Sequence, residues 1–323
     1  MDELIDTAVR LLREGRLVAF PTETVYGLGA DATNASAVAR IFAAKGRPST
    51  NPLIVHVAGV DQARRYARQW PAAAERLAQA FWPGPLTIVV PRTDEIVPQV
   101  SAGLDTVGLR SPRHALALEL LRRFDGPVAA PSANRSNRIS PTTAGHVREE
   151  LGDRVDLILD GGACAVGIES TVITLCTETP TVLRPGHITP AQLEAIIGRV
   201  DVMAHTLSDQ VAAQSPGQNP VHYSPVTPCL RFEQWSAAEG FLQAHKAERI
   251  IVLALQERTL ASPAHQLVLM PAGPEAYARD LYSTLRLADA KNAGHILIES
   301  PPVEGQWLAL RDRLGRAAKV MSA

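Results

Sequence analysis

The chain has 323 residues, 46% hydrophobic and 20% charged, with 32 basic against 33 acidic side chains and a formal net charge of −1. That length favours two domains of ordinary size, and the charge balance lacks the basic excess that would make nucleic acid the expected main ligand, although a local basic groove is compatible with it. The opening MDELIDTAVRLLREGR carries acids where a signal peptide carries bases, and no apolar run approaches the roughly 18 residues of a membrane span, so a cytoplasmic protein with no membrane partner is expected.

Leu4, Ile5, Ala8, Leu11 and Leu12 recur at helical spacing and predict a helix over 3–14, closed by Gly15 where a left-handed cap is wanted. A strand follows at Leu17 to Phe20, and AFPTETVYGLGA then reads as a strand entering a polar loop that turns through Gly27 and Gly29. A second helix over 36–44, with Val38, Ile41 and Phe42 on one face, ends at Gly46, and LIVHV at 53–57 is the next strand. Further strands are predicted at 86–90, 107–110, 128–130, 157–159, 171–175 and 181–183, with helices at 72–81, 114–123, 143–150 and 190–197. This is a mixed α/β domain whose polar clusters fall at strand ends or in loops, where a rigid sheet positions binding groups.

Residues 204–228 hold four prolines and little apolar periodicity, and read as a linker. Beyond them, helices at 236–246, 274–290 and 305–318 alternate with strands at 250–254, 267–270 and 295–300, which points to a small parallel-sheet domain. Cys164, Cys176 and Cys229 lack CxxC or Cys/His spacing, which excludes the usual zinc patterns and a disulfide framework.

Single motifs leave their chemistry open. Lys45 and Arg47 stand in a segment that Gly46 and Pro48 keep irregular; they either hold nucleotide phosphates or complement the dipole of the helix they end. Ser140 before Pro141 has the form of a helix N-cap, a junction that also favours a phosphate, with Ser132 and Asn134 on the preceding turn. GGACAVG has the glycine spacing of a phosphate loop, but Ile168 and Glu169 stand where that motif needs Lys and Ser or Thr. His56 lies inside an apolar strand, as a satisfied core histidine or a substrate contact. Arg110 and Arg184 end strands, either as surface residues or facing a carboxylate. No nucleophile elbow, carboxylate pair or dinucleotide fingerprint is present.

Taken together and in order, PTETVYGLGADA, KGRPSTNPLIVH, FWPGPLT, VGLRSPRH, APSANRSNRISPT, DGGACAVGIEST and LRPG resemble the YrdC-like domain of threonylcarbamoyl-AMP synthases. SPGQNPVHYSP followed by a small α/β domain resembles the long form of that family. The resemblance implies a YrdC-like mixed-sheet α/β domain over 1–203, a linker or lid over 204–228 and a small Rossmann-like α/β domain over 229–323. It implies a nucleotidyltransferase that joins L-threonine, bicarbonate and ATP into threonylcarbamoyl-adenylate with release of pyrophosphate. The product would pass to a tRNA threonylcarbamoyl transferase complex that binds the tRNA; direct tRNA binding by this chain is left open.

The family pattern assigns Thr22, Tyr26, His56, Arg110 (on the carboxylate) and Ser170 to L-threonine, and Lys45, Arg47, Asn51, Ser132, Asn134, Ser140 and Arg184 to ATP. Lys45, Arg47, Ser132 and Asn134 would carry the catalytic role. His222 and Tyr223 match the linker motif, with Tyr223 as a nucleotide contact if the linker is a lid and not a tether. Magnesium would accompany the triphosphate, with no acidic cluster announcing a protein-held site. Asn137 replaces a glycine of many relatives, in a turn where asparagine tolerates the left-handed region, and the linker's Gln218 to Val221 lack a basic residue found in some of them. Carbamoyl transfer is a competing reading, without the extra domain or the CxxC pairs it needs. A non-catalytic RNA-binding or ribosome-assembly module is the other.

Overall fold

The computed structural model describes residues 2–203 and 222–321, so most of the segment read as linker, including Gln218 to Val221, lies outside the described residues. The described chain forms two compact units, one of residues 2–136 and 140–203 and one of residues 137–139 and 222–321.

In chain order the first unit contains α1 (Asp2–Arg13), β1 (Val18–Phe20), β2 (Gly27–Asp31), α2 (Ala35–Lys45), β3 (Ile54–His56), α3 (Val60–Tyr66) and α4 (Ala72–Phe81). There follow β4 (Leu86–Pro91), β5 (Thr106–Arg110), α5 (Ala115–Phe124), β6 (Val128–Ala129), α6 (Ala144–Leu151), β7 (Leu157–Ile158), β8 (Thr171–Thr174), β9 (Thr181–Arg184), α7 (Pro190–Ile197) and β10 (Asp201–Val202). The strands make one mixed sheet in the order β10-β9-β8-β4-β5-β3-β6-β2-β1-β7.

Because strand side chains alternate between faces, the sheet sorts its residues sharply. Ala19, Val55, Ile88, Leu109 and Ile173 join the main core with Val38 and Ile41 of α2, Leu77 of α4 and Leu193 of α7. Val18, Phe20 and Val128 pack with Leu12 of α1 and Leu120 of α5 in a second cluster. Ile54, Val89, Val172 and Leu183 form only a small apolar patch. Beside it, Ile54 pairs across the parallel β3/β5 ladder with Gly108, and His56 with Arg110. The sequence pattern thus places polar site groups on the same strands that build the core.

The stretch expected to turn through Gly27 and Gly29 is instead strand β2, antiparallel to both β1 and β6. Its glycines answer a packing demand: a Cβ on Gly29 would lie 2.8 Å from Phe20 Cε1 and 3.1 Å from the Val18 carbonyl. The N-cap read at Ser140 falls at Thr143, which accepts from the His146 amide. The carbonyls of Pro141 and Thr142 already accept from Tyr26 and Cys164, so the helical ladder starts only after them. Helix α3 and strand β10 had no clear signal in their short, polar or isolated sequences.

The second unit contains β11 (Cys229–Phe232), α8 (Trp235–Ala244), β12 (Ile250–Ala254), β13 (His265–Leu269), α9 (Pro274–Asp289), β14 (His295–Glu299), α10 (Leu308–Ala317) and β15 (Lys319–Val320). Its sheet runs β13-β12-β14-β11-β15 with every pairing parallel, as the helix–strand alternation predicts. β11 escaped the reading because it begins directly after a proline-rich stretch.

Residues 137–139, expected in the first domain, belong to this unit. Asn137 has φ of 64°, in the left-handed region that asparagine tolerates. Its carbonyl accepts from the Ser224 amide at 3.0 Å, Arg286 donates to the Ile139 carbonyl, and Arg138 faces Asp289 at 3.5 Å. Asp289 also accepts from the amides of Val226 and Thr227 and from the Thr227 hydroxyl. Tyr223, also at positive φ, is buried in this unit, its ring stacked 5.8 Å from that of Tyr282 and under the guanidinium of Arg313.

Gly29→Ala should therefore lower unfolding stability by about 1–3 kcal/mol, the usual cost of overpacking. Urea denaturation checks this, and an unchanged midpoint would show that β2 can move away from Phe20.

Candidate active site

The PTET segment folds onto itself before it meets anything else. Thr22 Oγ1 donates to the Val25 carbonyl at 2.6 Å and accepts from the amides of Thr24 and Val25, closing a tight hydroxyl-stabilised turn. The turn carries Thr24 Oγ1 and Glu23 to Arg110, whose Nη2 lies 2.9 Å from each side chain's oxygen. Glu23 and Arg110 are both nearly inaccessible, so this is a buried ion pair, and the second Glu23 oxygen accepts from the Arg113 amide at 2.9 Å. Arg110, assigned from the sequence to a substrate carboxylate, thus already meets a carboxylate of its own chain.

Tyr26 is fully buried and its hydroxyl is used within the fold. It donates to the Gly162 carbonyl at 2.8 Å and accepts from the Gly161 amide at 3.1 Å, and burial pushes its pKa up to about 12. Its amide donates to Pro141 and its carbonyl accepts from Ala133. One residue therefore fastens the PTET turn to the PSAN segment, the SPT segment and the DGG turn.

Lys45 is the last residue of α2, whose C-cap Gly46 sits at φ 60°. Its ammonium is buried at 3% exposure and donates to the carbonyls of Ser132, at 2.5 Å, and Asn134. Burial, with neighbouring Arg47 adding repulsion, holds its pKa well below the ordinary lysine value. An ammonium has three donors, and these carbonyls take two. Arg47 donates to the carbonyls of Asn51, at 3.4 Å, and Pro52, at 3.1 Å, while the buried Asn51 Oδ1 has no hydrogen-bond partner. Asn134 Nδ2 donates to the Arg135 carbonyl, and Ser140 Oγ lies 2.5 Å from Glu169 Oε1.

Ser170 Oγ lies 2.8 Å from Thr87 Oγ1, both buried, and Arg184 donates to both the carbonyl and the hydroxyl of Ser170. A Cβ on Gly186 would lie 2.2 Å from the Thr171 amide nitrogen, so only glycine lets the RPG turn pack against the GIEST strand. His56 is buried beside Arg110, its ring edge-on to Phe20 at 5.7 Å. Burial foremost, then the Arg110 charge, lowers its pKa to about 3, so the ring is neutral at neutral pH.

Of the assigned residues, Thr22, Tyr26, Lys45, Arg47, Asn51, His56, Arg110, Ser132, Asn134, Ser140, Ser170 and Arg184 lie in the first unit, and His222 and Tyr223 lie in the second. Glu23, Thr24, Thr87 and Glu169 were not singled out by sequence, yet each holds one of the assigned side chains. Thr87 had a readable signal, since the alternation in LTIVV sets it on the face opposite Leu86 and Ile88. Among the described residues no group of three or more His, Cys, Asp or Glu side chains could hold a metal, and no helix is long and apolar enough to cross a membrane.

The His56 imidazole has a testable linkage. Its folded pKa lies below its unfolded value of 6.5, so its contribution to stability is complete above about pH 6.5 and is lost as pH falls toward 3. The limiting slope is roughly 1.4 kcal/mol per pH unit for one proton. Replacing His56 with Gln should flatten the pH dependence of urea unfolding across that window; an unaltered slope would mean the ring is not buried in its neutral form.

Residues 10–186 match a family model described as "Telomere recombination", and residues 188–319 match one described as "Threonylcarbamoyl-AMP synthase, C-terminal domain". The chain is 43% identical to threonylcarbamoyl-AMP synthase of Bacillus subtilis, over 98% of its own length and 93% of that protein. It is 40% identical to the enzyme of Pyrococcus abyssi, over 97% and 94% of the two chains. The crystal structure of P. abyssi Sua5 complexed with L-threonine aligns with a TM-score of 0.90 at 38% identity, covering 98% of this chain and 96% of that one. With both domains matched and full-length relatives at these identities, the chain belongs to the threonylcarbamoyl-AMP synthase family.

Proposed function

We propose that this chain joins L-threonine, bicarbonate and ATP into L-threonylcarbamoyladenylate and pyrophosphate, the first step of threonylcarbamoyl modification of tRNA. The observation that carries the reading is the convergence, within one unit, of four buried basic side chains with the PTET, PSAN and GIEST segments, in a chain aligned end to end with a threonine-binding relative. Bicarbonate carboxylates the threonine amine, water leaves, and a carbamate oxygen attacks the α-phosphorus as pyrophosphate departs with the electron pair of the broken P–O bond. Such a sequence requires positioning and charge stabilisation, and no protein nucleophile.

Each residue takes a role suited to its chemistry. Thr22, Tyr26, His56, Arg110 and Ser170 form the threonine side, where Tyr26 shapes the wall through its tethers and neutral His56 offers a hydrogen bond without adding charge. Lys45, Arg47, Asn51, Ser132, Asn134, Ser140 and Arg184 form the ATP side, with the third N–H of Lys45 and the unpartnered Asn51 Oδ1 as direct contacts. Lys45, Arg47, Ser132 and Asn134 act where charge develops on the transferring phosphate. Glu23 and Glu169 are engaged with Arg110 and Ser140, and no metal-binding group of three His, Cys, Asp or Glu gathers among the described residues, which supports magnesium entering with the triphosphate. Tyr223 is proposed as a further nucleotide contact. The product is handed to a tRNA threonylcarbamoyl transferase complex in the cytoplasm, and the near-zero net charge suits a chain that leaves tRNA to its partner.

Purified protein should release pyrophosphate from ATP only when L-threonine and bicarbonate are both present, and Lys45→Ala should lower kcat/KM by about a hundredfold or more, the scale of one lost charge-stabilising donor. ATP binding by folded protein without threonine-dependent release would overturn the reading in favour of carbamoyl transfer or RNA binding. Thr87→Val removes the hydroxyl beside Ser170 and should raise the KM for L-threonine about tenfold with kcat little changed, the mark of lost ground-state binding. A matching drop in kcat alone would place Thr87 in the chemical step instead.

A further inference from the structure

The second unit contains a cleft lined by none of the residues assigned to the synthase reaction. Strands β12 and β13 are parallel neighbours, and a connection between such strands usually carries a helix across the sheet face. Here residues 255–264 make the crossover with no helix. The gap between this loop and α8 is a cavity of about 250 Å³, just below the range of about 300–1,000 Å³ typical of small-molecule sites.

Its walls combine an apolar body with cationic groups. Leu242 of α8, Leu260 of the loop and Trp235 line it and belong to the unit's hydrophobic cluster. The Arg258 guanidinium sits 5.2 Å from the centroid of the Trp235 ring, Lys246 lies on the same cleft, and among the described residues neither cation has an ion-pair partner. One acid, Glu239, also lines it, which leaves a formal excess of one positive charge. A guanidinium held near an indole by cation–π attraction still has N–H groups to offer an oxyanion.

Two further lining residues carry unmet polar atoms. Trp235 Nε1, a donor only, is buried with no hydrogen-bond partner. His265 is nine-tenths buried; its Nε2 donates to the His245 carbonyl at 3.2 Å, and its Nδ1 has no hydrogen-bond partner among the described residues. Unmet buried groups are few in folded proteins and each needs a reason. Here both residues that carry an unmet polar atom line the same cleft as Arg258 and Lys246.

We propose that this cleft binds a small organic anion with a flat apolar body, its carboxylate or phosphate held by Arg258 and Lys246 and its body lying against Trp235, Leu242 and Leu260. The Trp235 indole resonance reports on it directly: ¹⁵N-labelled full-length protein is titrated with benzoate, phenyl phosphate, inorganic phosphate and uncharged benzyl alcohol, and the resonance is assigned with Trp235→Phe. Saturable shifts with benzoate or phenyl phosphate are expected, and the better of the two identifies the anion. Affinity should fall about tenfold or more in Arg258→Met, whose spectrum reports that it remains folded, as one charge-assisted contact is lost. No saturable shift with either aromatic anion, equal binding of benzyl alcohol or inorganic phosphate, or unchanged affinity in Arg258→Met would each overturn the proposal.

Discussion

The candidate site depends on basic side chains that donate to main-chain carbonyls. Lys45 holds the carbonyls of Ser132 and Asn134, Arg47 those of Asn51 and Pro52, and Arg184 that of Ser170. A buried charge is costly unless its hydrogen bonds are met, and carbonyl oxygens meet them while fixing the loops that supply them. The same contact therefore keeps a cation inside the fold and sets the shape of the segment beside it. Arg110 follows another rule: it is held by Glu23 and by Thr24, a side-chain pairing that lets the PTET turn and strand β5 position one another.

Most of the fold was legible because apolar spacing and glycine punctuation were strong where the core is strong. The helices ending at Gly15 and Gly46 and the buried strand at Ile250–Ala254 follow their sequence signals closely. The reading of GLGA as a turn failed because glycine marks both turns and close approach, and only the position of Phe20 from the neighbouring strand distinguishes them. Ser140 failed for a related reason: its Ser-Pro form suits a cap, but the next two carbonyls are already taken by Tyr26 and Cys164.

The site residues themselves came from ordered motifs seen as a family pattern, since no single motif identified its own chemistry. What stayed hidden was the supporting layer. Glu23, Thr24, Thr87 and Glu169 lie inside or beside quoted motifs, yet their roles require long-range partners, up to 90 positions away for Glu23 and the Arg113 amide. Local sequence reports spacing along a strand or helix; it does not report which distant side chain will need a hydrogen bond.

Asn137, Arg138 and Ile139 give the domain boundary an unusual form. The chain leaves the first unit at residue 136, returns at 140, and leaves again between 203 and 222. The C-terminal unit is thus not a tail that one cut can remove. A fragment ended near residue 203 would retain the PSANRSNRIS segment but leave Asn137, Arg138 and Ile139 without Ser224, Asp289 and Arg286. Separating the two units therefore strips residues 137–139 of the partners that the second unit gives them.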